Sequence, residues 1–119
     1  IGLATVAAQR GYPCIMVLPD NQSAEKYQTL AALNVDVRKV PPCPFNDQNH
    51  FYHQARRLSE SNPSLYFWAN QFENTANYQI HFDTTGPEIW QQTNGEIDIF
   101  CTSVGTGGTL AGVSSFLKL

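Results

Sequence analysis

The sequence is short of charged residues, and the charges that it has do not cluster. Charged residues make up 14% of the 119 residues, and the formal net charge at pH 7 is -3. The seven basic residues are scattered, so they form no positive stripe of the kind that binds nucleic acid or anionic membranes. No apolar run approaches the roughly 20 residues of a membrane span. We therefore expect no nucleic-acid partner and no membrane partner.

Cysteine is also scarce, since only Cys14, Cys43 and Cys101 occur. An odd number of widely spaced cysteines gives no support to a disulfide framework or a zinc knuckle. Cys14 and Cys101 lie in apolar runs and are predicted to be small core residues, whereas Cys43 lies in a loop. His50 and His53 are three residues apart, but no third ligand accompanies them, so no metal site is predicted. We expect a reducing, cytoplasmic location, with an organelle as the alternative.

Four runs rich in Val, Ile and aromatic residues have the composition of β-strands. They are "CIMVLP", "VDVRKVP", "LYFWAN" and "IDIFCTSV", at residues 14–19, 35–41, 65–70 and 97–104. Helical patterns lie between them, at residues 23–34, 49–60 and 86–93. Strands that alternate with helices predict an α/β protein of three αβα layers, in which a mainly parallel sheet has helices on both faces.

Local signals indicate where the helices begin and how the chain ends. Ser23 is a typical N-cap residue, and Pro87 lies near the first helical position, where its missing N–H is not needed. Both ends of the chain look cut. The helical "GLATVAAQ" follows Ile1 without an N-cap, and the chain closes on "SSFLKL" without a C-cap. We therefore expect a piece of a longer protein.

A glycine-rich loop, "GTGGT" at residues 105–109, joins the last strand-type run to a helical segment. Strand, glycine turn and helix together make an anion site, because free backbone N–H groups and the helix dipole point at the ligand. The hydroxyls of Thr106 and Thr109 can donate further hydrogen bonds. A tight turn without a ligand is the alternative.

The nucleotide-binding versions of such a loop do not fit. The nucleoside-triphosphate loop requires Lys after its second glycine, where Val113 stands, and the dinucleotide fingerprint requires a glycine where Leu110 stands. A phosphate site built from backbone and threonines, without lysine, is suited to a small phosphate monoester such as pyridoxal phosphate.

Several motifs in order resemble one family, the fold-type II pyridoxal-phosphate enzymes. "GTGGT" looks like the family's phosphate-binding loop. "IGLATVAAQRGYPCIMVLP", "SAEKYQTLAALNVDV" and "NQFENTANYQIHFDTTGPEIWQQTNGEIDIF" resemble segments that precede that loop. The branch of O-acetylserine sulfhydrylase (cysteine synthase) and cystathionine β-synthase is the most similar. Only residues 41–61 match weakly.

The resemblance implies roles for six residues and two parts of the chain. Gln71 would lie near the α-carboxylate of the substrate, with a loop-capping side chain as the alternative. Residues 1–83 would form most of a mobile, substrate-closing subdomain, and residues 84–119 would begin the cofactor domain. No catalytic residue is implied within the chain, because the Schiff-base lysine lies upstream of Ile1. The cofactor phosphate would be held by Gly105, Thr106, Gly107, Gly108 and Thr109.

The implied activity is a pyridoxal-phosphate-dependent β-replacement in the full-length protein, which converts O-acetylserine and sulfide into cysteine. The alternatives are cystathionine β-synthase, which joins serine and homocysteine, and a non-catalytic anion-binding or interaction domain. The resemblance also implies a homodimer. The chain by itself is expected to be inactive.

Overall fold

The computed structural model describes residues 1–119, which form two compact units, Ile1–Trp68 and Ala69–Leu119. The predicted division at residue 83 concerns domains of the whole protein and stays a prediction. The helices and strands, in chain order, are α1 (Gly2–Gln9), β1 (Ile15–Pro19), α2 (Ala24–Ala32), β2 (Asp36–Val40), α3 (Phe51–Ser61), α4 (Ala76–Ile80), a π-helical segment (His81–Thr85), α5 (Gly86–Gln92) and α6 (Gly108–Phe116).

The first unit contains a parallel strand pair. β1 pairs with β2 in a register that runs from Ile15 opposite Asp36 to Pro19 opposite Val40, and α2 connects the two strands. Parallel neighbours need such a crossover connection. α2 begins directly after Ser23, whose extended backbone has the conformation of an N-cap. The α/β class predicted from the sequence is confirmed.

Apolar side chains from these elements form the core of the first unit. Ala4, Leu30 and Val35 are buried together, and Met16 packs against them. Cys14 also packs against this cluster, as expected for a core residue. Burial raises the pKa of its thiol.

Two of the four predicted strands are wrong, since the sheet has only the strands β1 and β2. Residues 65–70 and 97–104 have no regular strand pairing, and within them Phe67 is 86% exposed and Ile99 is 79% exposed. A strand needs a neighbour for its backbone N–H and C=O groups, and this chain places no third strand beside these segments. Cys101 is exposed as well, so its prediction as a core residue is wrong.

The second unit is built around one helical run, from Ala76 to Gln92. The sequence predicted only the last part of it. In the π-helical segment, the N–H of Gly86 donates to the carbonyl of His81. The wider π turn comes directly before Pro87, which has no N–H and whose ring would crowd a carbonyl in a regular α-helix. This local change in the turn lets the run continue through the proline.

Close packing brings α6 against this run. A Cβ atom placed on Gly112 would lie 2.5 Å from the carbonyl oxygen of Tyr78, and one on Gly86 would lie 2.7 Å from Cβ of Phe116. A Cβ on Gly108 would lie 2.5 Å from the side chain of Asn77. Glycine is therefore required at these contacts because no side chain would fit.

No helix in the chain combines the length and the apolar character that crossing a membrane requires.

Candidate functional site

The glycine loop forms the N-terminal end of α6. Gly107 is the N-cap residue and has a left-handed backbone with φ of 83°, a conformation that glycine adopts without steric cost. The N–H of Ala111 donates to the carbonyl of Gly107. As at any helix start, the amide groups before Ala111 have no partner within the helix. They are available to an anion, together with the positive end of the helix dipole.

A cavity of about 270 Å³ lies beside this loop. It brings Gln71 together with the loop, although more than thirty residues separate them in the sequence. Four of the six predicted site residues line it, and the other two, Gly105 and Thr109, do not. The lining residues are Gln71, Phe72, Glu73, Asn74, Thr75, Asn77, Tyr78, Thr106, Gly107, Gly108 and Ala111.

Gln71 lies in a tight turn that its preceding residue organises. The carbonyl of Asn70 accepts hydrogen bonds from the N–H groups of Glu73, at 3.2 Å, and Asn74, at 2.9 Å. The side chain of Gln71 is exposed, and no hydrogen bond joins its amide to the rest of the chain. Both N–H groups of the amide are therefore available to a ligand in the cavity.

Side chains of the helical run contact both threonine hydroxyls of the loop. Asn77 Nδ2 donates to Thr106 Oγ1 at 2.6 Å. His81 Nε2 lies 3.1 Å from Thr109 Oγ1, and His81 Nδ1 lies 2.8 Å from Thr85 Oγ1. These three partners were not identified as functional from the sequence. Asn77 and His81 are four residues apart, the spacing of one helix face, but only the fold shows that this face meets the loop.

The cavity has few charges. Glu73 is its one ionised lining residue, and its carboxylate accepts a hydrogen bond of 2.7 Å from Asn70 Nδ2. No Lys or Arg lines it, so an anion would be held by backbone amides, hydroxyls and the helix dipole alone. Cβ atoms placed on Gly105 and Gly107 would meet nothing within 4 Å. This open, neutral set of donors fits a phosphate monoester.

A second cavity, of about 260 Å³, lies in the first unit. It contains the half-buried Cys43, where burial and the Asp47 carboxylate raise the pKa of the thiol. It also contains His50, whose Nδ1 accepts a hydrogen bond from the N–H of Tyr52 at 3.3 Å. The lining residues are Pro19, Asn21, Gln22, Pro41, Pro42, Cys43, His50 and Phe51.

Comparison with known families identifies the chain. The sequence profile of the pyridoxal-phosphate dependent enzymes matches residues 1–119. The chain belongs to this family. The resemblance recognised from the motifs is thereby confirmed, and so is pyridoxal phosphate as the family's cofactor.

Relatives and a solved structure agree with this assignment. The chain is 47% identical over 118 residues to cysteine synthase 1 of Emericella nidulans, covering 99% of this chain and 32% of that protein. It is 42% identical over 118 residues to cysteine synthase A of Escherichia coli, covering 99% of this chain and 36% of that protein. The chain therefore spans about a third of the length of these curated relatives.

The fold also matches a solved structure. A hydrogen sulfide-producing enzyme from Fusobacterium nucleatum superposes with a TM-score of 0.83 at 31% sequence identity. The match covers 98% of this chain and 37% of that protein. The predicted partial fold-type II architecture is confirmed, with the two-stranded sheet as the part of it that this chain forms.

Proposed function

We propose that the full-length protein catalyses a β-replacement in which O-acetylserine and sulfide give cysteine and acetate. The observation that carries this proposal is the cavity that joins Gln71 to the "GTGGT" loop. This cavity has an uncharged amide donor and the start of a helix in its lining, and no basic side chain. The identity to the cysteine synthases of Emericella nidulans and Escherichia coli supports the choice of substrates.

The loop residues 105–109 would hold the phosphate of pyridoxal phosphate. When bound, this cofactor supplies an electron sink for carbanion chemistry at the substrate α-carbon. The contribution of this chain is binding and orientation. Backbone amides at the start of α6 and the hydroxyls of Thr106 and Thr109 would fix the phosphate end.

Gln71 would donate its side-chain N–H groups to the α-carboxylate of the substrate. An amide is suited to this position because it is neutral and, unlike a lysine, does not compete for the aldehyde of the cofactor. The geometry supports the role in two ways. The amide has no other partner in the chain, and the turn from Asn70 to Asn74 holds its backbone in place.

The proposal is tested by assaying the full-length protein for cysteine from O-acetylserine and sulfide, and in parallel for cystathionine from serine and homocysteine. We expect cysteine formation. In the Gln71→Glu variant the new carboxylate would repel that of the substrate, so KM for O-acetylserine should rise roughly a hundredfold. Gln91→Glu, an exposed change on α5, is the control and should leave KM unaltered. Cystathionine as the only product, or no product from either pair, would overturn the proposal.

Three further predictions concern the full-length protein. We infer a homodimer, a cytoplasmic location, and no turnover by the 119-residue chain without the segment that carries the Schiff-base lysine. Sedimentation of the full-length protein, its localisation in cells, and an activity assay of the isolated chain test them separately.

A further inference from the structure

We propose that Asn77 and His81 are positioning residues that direct the hydroxyl protons of Thr106 and Thr109 toward the bound phosphate. This inference rests on the proposed function, because it assumes that the loop holds a phosphate group. It concerns two residues outside the loop that would act on the phosphate through the two threonines.

The direction of the first contact is fixed by chemistry. The Asn77 side-chain nitrogen is a donor only, and it lies 2.6 Å from Thr106 Oγ1. The threonine oxygen must therefore accept this hydrogen bond. A hydroxyl has one proton and two acceptor lone pairs, so the Thr106 proton is left for another acceptor. Thr106 lines the cavity, where a phosphate oxygen would be that acceptor.

The second contact has two possible directions, because a neutral imidazole carries its proton on either nitrogen. If His81 Nε2 accepts from Thr109, the threonine presents only lone pairs to the phosphate, which repels them. If Nε2 carries the proton, it donates to Thr109 Oγ1. The Thr109 proton is then free for a phosphate bound at the first turn of α6, to which Thr109 belongs. In that arrangement Thr85 donates to Nδ1, at 2.8 Å. A bound phosphate therefore selects the second arrangement.

The packing of α6 holds both contacts in place. A Cβ on Gly108 would lie 2.5 Å from the Asn77 side chain, and one on Gly112 would lie 2.7 Å from Cβ of His81. The two side chains that bond the threonines are thus the same two that press against the glycines of α6. Any displacement of the helical run would disturb both threonines together.

The test uses the full-length protein freed of cofactor and titrated with pyridoxal phosphate and, separately, with pyridoxal, which lacks the phosphate. We expect His81→Phe and Asn77→Leu each to weaken binding of pyridoxal phosphate about fivefold, the size of one neutral hydrogen bond. Binding of pyridoxal should not change. His81→Gln should restore most of the affinity, since its amide can still donate to Thr109. Gln91→Leu, an exposed change on the same helical run, is the matched control.

A double-mutant cycle separates positioning from general structural support. In a Thr109→Val background, His81→Phe should cause no further loss, because the hydroxyl through which it acts is gone. Thr85→Val, a change of similar shape, should by itself weaken binding of pyridoxal phosphate about twofold. Without the Thr85 hydroxyl, nothing in the chain favours the His81 tautomer that carries its proton on Nε2. Thr85→Val serves as the second test if His81→Phe fails to fold.

The outcomes distinguish this inference from the proposed function. Wild-type protein that prefers pyridoxal phosphate over pyridoxal, with variants that lose part of this preference, supports both. A preference that the variants retain in full overturns the positioning role alone. The positioning role alone is also overturned if the variants weaken the two ligands equally, or if His81→Phe still weakens pyridoxal phosphate in the Thr109→Val background. Wild-type protein without any preference overturns both.

Discussion

The two cavities described above have nearly the same volume, about 260 Å³ in the first unit and about 270 Å³ in the second. The first lies at Pro19, the last residue of β1, and Pro41, the residue after β2, at the edge where ligands usually bind in α/β sheets. Yet the helix start that it contains, that of α3, is already capped by the His50 side chain. The second has a helix start without a side-chain cap, together with a threonine of the glycine loop and a free amide. The comparison shows that the hydrogen-bond donors lining a cavity indicate an anion-binding site better than its volume or its position at a sheet edge does.

The two units also differ in how they pack. The first unit buries Leu30 and its apolar neighbours behind a strand pair. The second has few buried apolar side chains and depends on glycines that let α6 approach the helical run. The first should therefore be most sensitive to lost volume, and the second to added volume.

The largest effect is expected from added volume in the second unit. Gly112→Val would place methyl groups against the Tyr78 carbonyl and the His81 side chain, and we expect a loss of about 4 kcal/mol in the free energy of unfolding. Gly2→Ala is the control, because a Cβ there meets nothing within 4 Å and alanine favours a helix. Denaturant unfolding measures both. A loss below about 1 kcal/mol for Gly112→Val would contradict the close approach.

Lost volume in the first unit should have the next largest effect. Leu30 is 3% exposed, so Leu30→Ala should lower the free energy of unfolding by about 3 kcal/mol through lost burial and the cavity left behind. Leu65, in the same unit, is 67% exposed. Leu65→Ala should change stability by less than about 0.5 kcal/mol. Equal effects of the two changes would contradict the burial of Leu30 in the core of the first unit.

The contrast between the cavities predicts a smaller effect, on cofactor binding by the full-length protein. Thr106→Val would remove the proposed hydrogen bond to the charged phosphate, which should weaken binding of pyridoxal phosphate by about 2 kcal/mol, roughly thirtyfold. Cys43→Ser, in the first cavity, should leave that affinity unchanged. Equilibrium titration measures both. Weaker binding in Cys43→Ser, with unchanged binding in Thr106→Val, would contradict a cofactor site at the glycine loop.

The smallest effect concerns pH and α2. The N–H of Glu25's own backbone and the Ser23 side chain hold the pKa of the Glu25 carboxyl below its ordinary value of 4.5. A lowered folded-state pKa adds stability above the unfolded pKa, and that stability is lost as pH falls through the folded value. Glu25→Gln should therefore lower the denaturation midpoint slightly at neutral pH and not in acid well below 4.5. Glu96→Gln is the control. A difference in midpoint between Glu25→Gln and the wild type that does not depend on pH would contradict the lowered pKa of Glu25 as its cause.

The sequence predicted what depends on nearby residues. Ser23 marks the start of α2, and β1 and β2 pair across the single helix that connects them. The segment at 97–104 is as rich in strand-forming residues as β1 and β2, but it has no strand to pair with in this chain. Its composition alone was therefore not sufficient to make it a strand. The glycine loop was recognised because its pattern is local. Asn77 and His81 were missed because the helical run must pack on α6 before their partners are visible.

An absorbance spectrum of the full-length protein, purified without added cofactor, tests the central claim most directly. We predict absorbance of bound pyridoxal phosphate in the visible range and a change in that band when O-acetylserine is added, because cofactor and substrate would share the cavity at the "GTGGT" loop. A colourless protein that stays colourless when pyridoxal phosphate is supplied would contradict the account and favour a binding domain that retains only the fold.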